Sequence, residues 1–307
     1  MHTSLHTAVR RSACVLLLLL LVFISFAAAT ALAQEASTPA SSLPHPSASP
    51  SPSPTLERRF FKNILRDQRA IWTSPLRMSG KDATWLAPLA ISTAVMIATD
   101  RETAGDLTNN EERLEASRSV SYAGALYTTG TVAAAVYLIG RQQHNPRARE
   151  TGLLGAQALI NGLIVTKALK VVAQRPRPLE DAGRGRFFSG GGSFPSGHAI
   201  SAWSLATIVA EEYRHRPLIR WGAYSLATAV SISRFTGRKH FLSDVLVGSA
   251  IGYGIGRYVY NAHHDPSLDA DKGGATSGAA MSRLFPSITP HYNRRGHLYG
   301  LNLTWSF

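Results

Sequence analysis

A histidine and an aspartate four residues apart are the pair in this sequence best suited to nucleophilic chemistry. They are His240 and Asp244, in the segment Ser-Arg-Phe-Thr-Gly-Arg-Lys-His-Phe-Leu-Ser-Asp. On a helix this spacing puts both side chains on one face, where a carboxylate can hold one imidazole nitrogen and leave the other free to attack. The same spacing also occurs as an ordinary helical contact, so the pair alone does not decide between the two interpretations.

A glycine-rich segment, Gly190-Gly-Gly-Ser-Phe-Pro-Ser-Gly-His-Ala199, contains a second histidine, His198. We predict that it leads into a helix whose first amides have no partner within the helix, and such an end binds anions. Gly197 lets the backbone approach a ligand closely, and Ser196 adds a hydroxyl donor. The alternative is that Ser196 is only the N-cap of that helix.

Three cations lie at the end of a predicted apolar helix. Lys170, Arg175 and Arg177 occur within Lys-Val-Val-Ala-Gln-Arg-Pro-Arg-Pro. Pro176 and Pro178 end the helix and hold the following residues extended. A basic helix terminus also complements the helix dipole, so this segment is a weak sign of function by itself.

Together the three segments resemble the type 2 phosphatidic acid phosphatase family, part of a superfamily that includes vanadium haloperoxidases and bacterial acid phosphatases. The family signature is Lys, six residues, Arg-Pro; then Pro-Ser-Gly-His; then Ser-Arg, five residues, His, three residues, Asp. It is matched in order at Lys170, Arg177-Pro178, Pro195 to His198, Ser233-Arg234, His240 and Asp244. The resemblance covers about residues 80–262.

The resemblance implies a role for each matched residue. His240 would attack phosphorus and form a phosphohistidine, Asp244 would orient it, and His198 would protonate the leaving oxygen and then activate water. The phosphoryl oxygens would be held by Lys170, Arg177, Arg234, Ser196 and the Gly197 amide. Because fixed cations can replace a metal in phosphoryl transfer, and the sequence shows no metal-ligand motif, we predict no metal and no cofactor.

One position departs from the family pattern. The family usually has a glycine two residues before the nucleophilic histidine, whereas this chain has Arg238 there and Gly237 one residue earlier. We therefore expect a differently shaped loop, with Arg238 and Lys239 adding positive charge near the pocket. Substrate preference is the property that this change would affect.

The elements that must position these residues are predicted to be helices. We expect an all-α fold, a helical bundle of about six core helices, with a disordered N-terminal linker and a C-terminal β-hairpin around Asn293–Gly296. The core helices are predicted near 82–99, 119–140, 151–174, 197–214, 217–234 and 241–261. Residues 58–71 read as a short amphipathic helix, and 100–119 as the longest connection.

Composition and the N-terminus place the protein outside the cytoplasm. Arg10 and Arg11 precede a charge-free apolar run, and Ala31-Leu-Ala33 offers a cleavage site, so residues 1–33 are predicted to be a signal peptide. Residues 34–57 are a Pro/Ser-rich linker, 58–265 the helical phosphatase domain, and 266–307 a linker with the hairpin. The only cysteine, Cys14, lies in the leader, which excludes disulfides and thiolate sites in the mature chain.

The predicted function is a metal-independent phosphatase that hydrolyses phosphate monoesters or diphosphates, with a lipid phosphate favoured. The alternatives are a soluble broad-specificity acid phosphatase and a vanadium-dependent haloperoxidase. The formal net charge of +13 suits an anionic partner; we expect a phosphorylated lipid or small phosphate ester, with membrane-surface contact left open, and no nucleic acid. We favour a soluble or peripheral envelope protein over an integral inner-membrane protein whose site faces outward.

Overall fold

The computed structural model describes residues 56–80, 82–107, 110–180, 183–270, 287–293 and 298–304. The helices are α1 (Leu56–Thr73), a 3-10 helix (Ser74–Arg77), α2 (Ala83–Gly105), α3 (Glu111–Ala123), α4 (Leu126–Gln142), α5 (Pro146–Ala173), α6 (Gly197–Glu212), α7 (Pro217–Thr236), α8 (Leu242–His263) and α9 (Ser267–Ala270). The all-α prediction is confirmed for the described residues between 56 and 270. The predicted signal peptide and nearly all of the linker lie outside the described residues.

The charged segment 100–119 was predicted as a connection, and this prediction was wrong. Most of it is helical, because α2 continues to Gly105 and α3 begins at Glu111. The start of α3 has the features of a stable N-terminus. The side chain of Asn110 accepts a hydrogen bond from the Arg113 amide at 2.9 Å, and two glutamates follow in the first turn.

The helix predicted at 119–140 is divided into α3 and α4 by a break at Gly124 and Ala125. Ala125 has an extended backbone, which ends the helical hydrogen-bond pattern. The break lies against α7, since a Cβ on Gly124 would lie 2.2 Å from the Val230 side chain and 3.1 Å from the His198 carbonyl oxygen. The turn therefore brings α3 and α4 against the start of α6 and the middle of α7.

The core is formed where α6 packs between α5 and α8. Its buried apolar residues come from all three helices: Leu154, Ala158, Val165, Ile208, Ile255, Val259 and Tyr260. Glycines at every fourth position of α8, Gly248, Gly252 and Gly256, form a seam against α6. A Cβ on Gly252 would lie 2.5 Å from the Ile200 carbonyl oxygen. This close approach holds the first turns of α6 and α8 side by side.

Helix α1 coincides with the predicted amphipathic helix and is fixed to the bundle by a buried carboxylate. Asp67 accepts hydrogen bonds from Gln157 at 2.6 Å and Asn161 at 2.9 Å on α5, and its other oxygen lies 2.8 Å from His263 Nε2 on α8. The opposite face of α1 leaves Phe61 78% exposed. The helix thus packs one side on its own domain and presents an apolar side outward.

The chain divides into two compact units, of which the first ends at His264 and the second covers Asp265–Phe307. In the second unit β1 (Ser287–Asn293) pairs with β2 (Leu298–Thr304) in antiparallel register, from Ser287 opposite Thr304 to Asn293 opposite Leu298. The strands lie on either side of the predicted turn, and β1 includes Asn293, which was predicted to be the first residue of that turn.

Among the residues that the structure describes, two helical segments are long and apolar enough to cross a membrane. They are Glu111–Gln142, with a mean hydropathy of 1.3, and Pro146–Ala173, with 1.4. In the second, 56% of the most apolar window is buried inside the domain, as in the core helix of a soluble protein. Length and composition alone therefore do not establish a membrane span.

Candidate active site

The ends of four helices carry the residues of the signature to one end of the bundle. Lys170 lies near the end of α5, His198 in the first turn of α6, Arg234 in the last turn of α7, and Asp244 in the first turn of α8. His240 lies in the turn between α7 and α8. Arg234, His240, Lys170 and Arg177 all act electrostatically on His198, so the structure places the predicted residues around one site.

The imidazole of His240 is buried and held through its Nδ1 atom. Nδ1 lies 2.7 Å from the Ser193 carbonyl oxygen, whereas Asp244 Oδ2 is 3.8 Å away. A carbonyl oxygen only accepts hydrogen bonds, so Nδ1 carries the proton and donates it to Ser193. This tautomer leaves the lone pair on Nε2. The direct partner of His240 is therefore the backbone of the glycine-rich segment, which sequence reasoning did not identify.

Asp244 is fully buried and organises the segment that holds His240. Its Oδ2 accepts hydrogen bonds from the Ser193 hydroxyl at 2.5 Å and from the Phe241 amide at 3.0 Å. Its backbone carbonyl accepts from the Ser196 amide at 3.0 Å. Burial raises the pKa of Asp244, but the interactions with His240 and Arg175 outweigh this and keep it below its usual value. Asp244 is thus a carboxylate that positions His240 partly through Ser193.

A buried ion-pair network supports Asp244 from behind. Arg175 donates from Nη1 to Asp244 Oδ1 at 2.6 Å and from Nη2 to Asp100 Oδ2 at 2.8 Å. Its guanidinium lies 4.2 Å from the ring centroid of Phe241 and 4.8 Å from that of Phe187. Ser243 joins the network, because its hydroxyl and amide both donate to Asp100. Arg175 was noticed in the sequence only as one of three neighbouring cations, whereas in the structure it is buried and paired with Asp100 and Asp244.

Two hydrogen-bond donors at the site are buried without a partner. Ser196 Oγ has none, and although Ser196 occupies the N-cap position of α6 its side chain makes no capping hydrogen bond. Arg234 Nε also has none, while Arg234 Nη1 donates to Ser121 Oγ on α3 at 2.8 Å. The N-cap interpretation required the Ser196 hydroxyl to accept a hydrogen bond from the helix. The hydroxyl does not do so. Unpartnered buried donors next to cations suit an anionic ligand.

Lys170 and Arg177 add positive charge to the same site. The ammonium of Lys170 donates to the Gly192 carbonyl in the glycine-rich segment, which keeps it beside the loop. Burial, reinforced by the charge of Arg177, lowers the pKa of Lys170 to about 8. The Arg177 side chain is exposed, and its amide donates to Glu180 at 2.9 Å, so Arg177 lies at the rim.

Both histidines of the site are neutral near pH 7. Burial, together with the charge of Arg234, lowers the pKa of His198 to about 3. Burial also lowers the pKa of His240 to about 4, although Asp244 opposes this shift. A neutral His240 is a competent nucleophile, whereas His198 must gain a proton before it can act as an acid. A bound phosphate dianion would raise the pKa of His198, because its negative charge stabilises the imidazolium.

The turn before His240 keeps a left-handed residue despite the missing glycine. Arg238 has φ 53°, and Gly237 has an ordinary φ of −78°. An arginine thus adopts the backbone conformation that glycine adopts most easily. Lys239 follows it, and burial and the charges of Arg118 and Arg177 lower the pKa of Lys239. The expected accumulation of positive charge beside His240 is present.

Comparison with known proteins supports the recognition made from the sequence. Residues 151–267, which contain all three signature segments, match the model of the PAP2 superfamily. This part of the chain is a PAP2 superfamily domain. The recognition from the three sequence segments is therefore confirmed. Asp100 and Ser121, which accept hydrogen bonds from Arg175 and Arg234, come from α2 and α3, outside the matched residues.

Several known proteins are similar to parts of this chain. A lipid A 1-phosphatase from Porphyromonas gingivalis is 39% identical over 69 residues, which cover 22% of this chain and 16% of that relative. A transmembrane PAP2-type phosphatidylglycerolphosphate phosphatase from Bacillus subtilis has 20% identity and a TM-score of 0.41, covering 71% of this chain and 97% of its own. Aquifex aeolicus LpxE has 18% identity and a TM-score of 0.39, covering 53% and 93%.

Proposed function

We propose that this protein is a metal-independent phosphatase that removes phosphate from a phosphorylated lipid through a phosphohistidine at His240. The observation that carries the proposal is the set of buried donors around a neutral imidazole. Ser196 Oγ and Arg234 Nε have no partner in the protein, and His240 presents a free lone pair on Nε2. This arrangement fits a phosphoryl group as the missing partner.

In the first step Nε2 of His240 attacks phosphorus, the N–P bond forms, and the bond from phosphorus to the leaving oxygen breaks. The leaving oxygen takes the proton that His198 binds once the phosphate charge has raised its pKa. In the second step His198 removes a proton from water, which attacks phosphorus and breaks the N–P bond. Phosphate leaves, and because its departure lowers the pKa of His198 again, the proton taken from water passes to the departing phosphate or to solvent, so that both histidines are neutral as at the start.

A lipid substrate is supported by the described surface and by the chemistry of one relative. Large apolar side chains are exposed on α2 and α7, including Ile91, Val95, Leu218, Trp221 and Ile232. Exposed apolar surface of this extent is typical of contact with a membrane or another protein. The Porphyromonas relative, which is 39% identical over 69 residues, is named a lipid A 1-phosphatase. We therefore propose a membrane-associated enzyme acting outside the cytoplasm.

The test is phosphate release by the purified full chain in detergent micelles from phosphatidate, lipid A, an isoprenyl diphosphate and a small aryl phosphate. We expect turnover of at least one lipid, more than tenfold slower turnover of the aryl phosphate, and no activity in His240→Ala. His215→Ala, which changes an exposed histidine, is the matched control and should keep full activity. Turnover by His240→Ala near the wild-type rate would refute the mechanism, and preference for the aryl phosphate would indicate a broad-specificity acid phosphatase.

A further inference from the structure

A second group of titratable side chains lies at the opposite end of the bundle. Glu150 is in the first turns of α5, Glu212 is the last residue of α6, and His264 directly follows α8. Their ligand-type atoms lie within 4.8 Å of one another. Glu150 and Lys170 are twenty residues apart on α5, which separates this group from the phosphate site by about 30 Å. The phosphatase mechanism does not use it.

The group has one carboxylate oxygen that the protein leaves without a hydrogen bond. His264 Nδ1 lies 2.8 Å from Glu150 Oε1 and 3.5 Å from Glu212 Oε1. Glu212 is 0% exposed, and its Oε1 has no hydrogen-bond partner. One imidazole nitrogen carries at most one proton, so it cannot donate fully to both carboxylates. A buried carboxylate oxygen without a partner is unfavourable, and a cation bound between the three residues removes that penalty.

Neighbouring residues hold two of the three side chains, those of Glu212 and His264, in place from outside. Arg147 donates to the Glu212 backbone carbonyl at 2.5 Å and lies 3.4 Å from Oε2, which keeps Oε1 turned toward His264. The ring of Tyr260 stacks on His264, with centroids 4.4 Å apart and planes at 17°. Outer partners that fix a carboxylate and an imidazole in this way are typical of metal sites.

We propose that Glu150, Glu212 and His264 form a structural site for a divalent cation, with zinc as the best match. Zinc takes imidazole and carboxylate ligands at about 2.0–2.2 Å, so tetrahedral ligand atoms lie about 3.4 Å apart. The two nitrogen–oxygen distances bracket this value. The cation replaces the proton on Nδ1 and links the ends of α5, α6 and α8. Because Arg147 offsets part of the negative charge, we expect weaker binding than at a thiolate site.

The test is a titration of the chelator-treated full chain, produced without a histidine tag, with zinc chloride and separately with cobalt chloride. At a hundredfold excess over Kd we expect zinc to raise Tm by about 5 to 10 °C. Cobalt should give visible absorption bands, since it reports directly on nitrogen and oxygen ligands. His264→Gln and Glu212→Gln should lose both responses. His215→Gln, which changes an exposed histidine three residues after Glu212, should respond like the wild type.

Two results would overturn the proposal. The first is a wild-type chain that shows neither a Tm rise nor cobalt absorption, which would mean that a protonated His264 alone holds the two carboxylates. The second is a response that persists in His264→Gln, which would place the bound metal elsewhere. The wild-type titration decides the matter even if a variant fails to fold. Phosphatase activity is not part of the readout.

Discussion

Arg175 Nη1 lies 2.6 Å from Asp244 Oδ1, and the same guanidinium bridges to Asp100 on α2. All three residues are almost completely buried. One cation therefore balances two carboxylates, one of which organises the segment that holds His240. The network makes α2 part of the support of His240, the proposed nucleophile.

Removing Arg175 should be far more damaging than removing an exposed arginine. Arg175→Leu leaves Asp100 and Asp244 buried without a counter-charge, so we expect a loss of about 3–5 kcal/mol in the free energy of unfolding. Arg184→Leu, in the same connection but exposed, should change it by less than about 0.5 kcal/mol. Denaturant titration followed by circular dichroism measures both. Equal effects of the two substitutions would contradict the role assigned to Arg175.

Ser196→Ala should separate activity from stability. The hydroxyl has no partner in the protein, so its removal should leave Tm unchanged or slightly raised, while kcat falls about 100-fold through loss of a donor to the phosphoryl group. Ser204→Ala is the matched control, because Ser204 Oγ is equally buried but donates to the Gly252 carbonyl at 3.2 Å. That variant should lose stability and keep kcat. The opposite pattern would show that Ser196 is structural.

The pH dependence follows from the lowered pKa values of the two histidines. His240 must be neutral to attack, and because its pKa is about 4 the acid limb of kcat/KM should lie near pH 4 rather than near 6.5. The free energy of unfolding should also depend on pH in this acidic range. Between the ordinary histidine pKa and the lowered ones the unfolded chain binds more protons, so the free energy of unfolding should fall as the pH drops from about 6.5 to 4.

Rate measurements from pH 3.5 to 8.5, paired with denaturant titrations at each pH, test this expectation. The reference is His198→Gln, which removes one of the two titrating groups and should flatten the loss of stability below pH 6.5. An acid limb near pH 6.5 in the wild type would show that His240 titrates as an ordinary exposed histidine.

Chelation should leave phosphate release unchanged, whereas vanadate should inhibit it. In the proposed mechanism Lys170, Arg177 and Arg234 take the place that metal ions have in other phosphatases. EDTA should therefore leave kcat unchanged at 25 °C, even if it strips a cation from Glu150, Glu212 and His264. Vanadate should inhibit competitively by occupying the phosphate site. Loss of activity in EDTA that zinc or magnesium restores would refute metal independence, and bromide oxidation in the presence of vanadate would favour the haloperoxidase alternative.

Arg238→Gly and Arg238→Ala form an informative pair. Both remove the side chain, but only glycine adopts the left-handed backbone at this position without strain, so the glycine variant should be more stable by about 1 kcal/mol. The thermal midpoint of each purified variant gives the difference. If the loss of charge governs substrate preference, both variants should change the ratio of kcat/KM between diphosphate and monophosphate substrates equally.

The residues of the proposed phosphate site could be named from the sequence because they occur in three short segments with fixed internal spacing. Pro195 to His198 and the His240–Asp244 pair could be assigned without knowing the fold. The network behind them could not be predicted in this way. Asp100 precedes Arg175 by 75 residues, and nothing in its local sequence distinguishes it from a surface carboxylate at a helix end.

The helices themselves were predicted from apolar runs. The errors lie where tertiary packing or the residues at a helix start determine the structure. The break at Gly124 was missed because residues 120–140 carry no charge, whereas packing against Val230 and the His198 carbonyl determines the turn. Charge between 100 and 119 suggested a loop, although Asn110 and the glutamates after it are good residues for starting a helix. Glu150, Glu212 and His264 share no sequence motif, since three separate helix ends bring them together.

Along the glycine seam on α8, the effect of a glycine-to-alanine substitution on activity should change with position. A methyl group added at Gly248 would lie 2.7 Å from the Ser196 carbonyl oxygen, and one added at Gly256 would lie 2.7 Å from the Ser204 carbonyl oxygen two turns away. The nearest contact is equally short at both positions, but the first substitution displaces Ser196, in the proposed phosphate-binding segment, and the second displaces Ser204 and Thr207 in the core. Substitutions of glycine by alanine along this one helix should therefore reduce activity by different amounts. The reduction should be larger the closer the substituted glycine lies to Ser196.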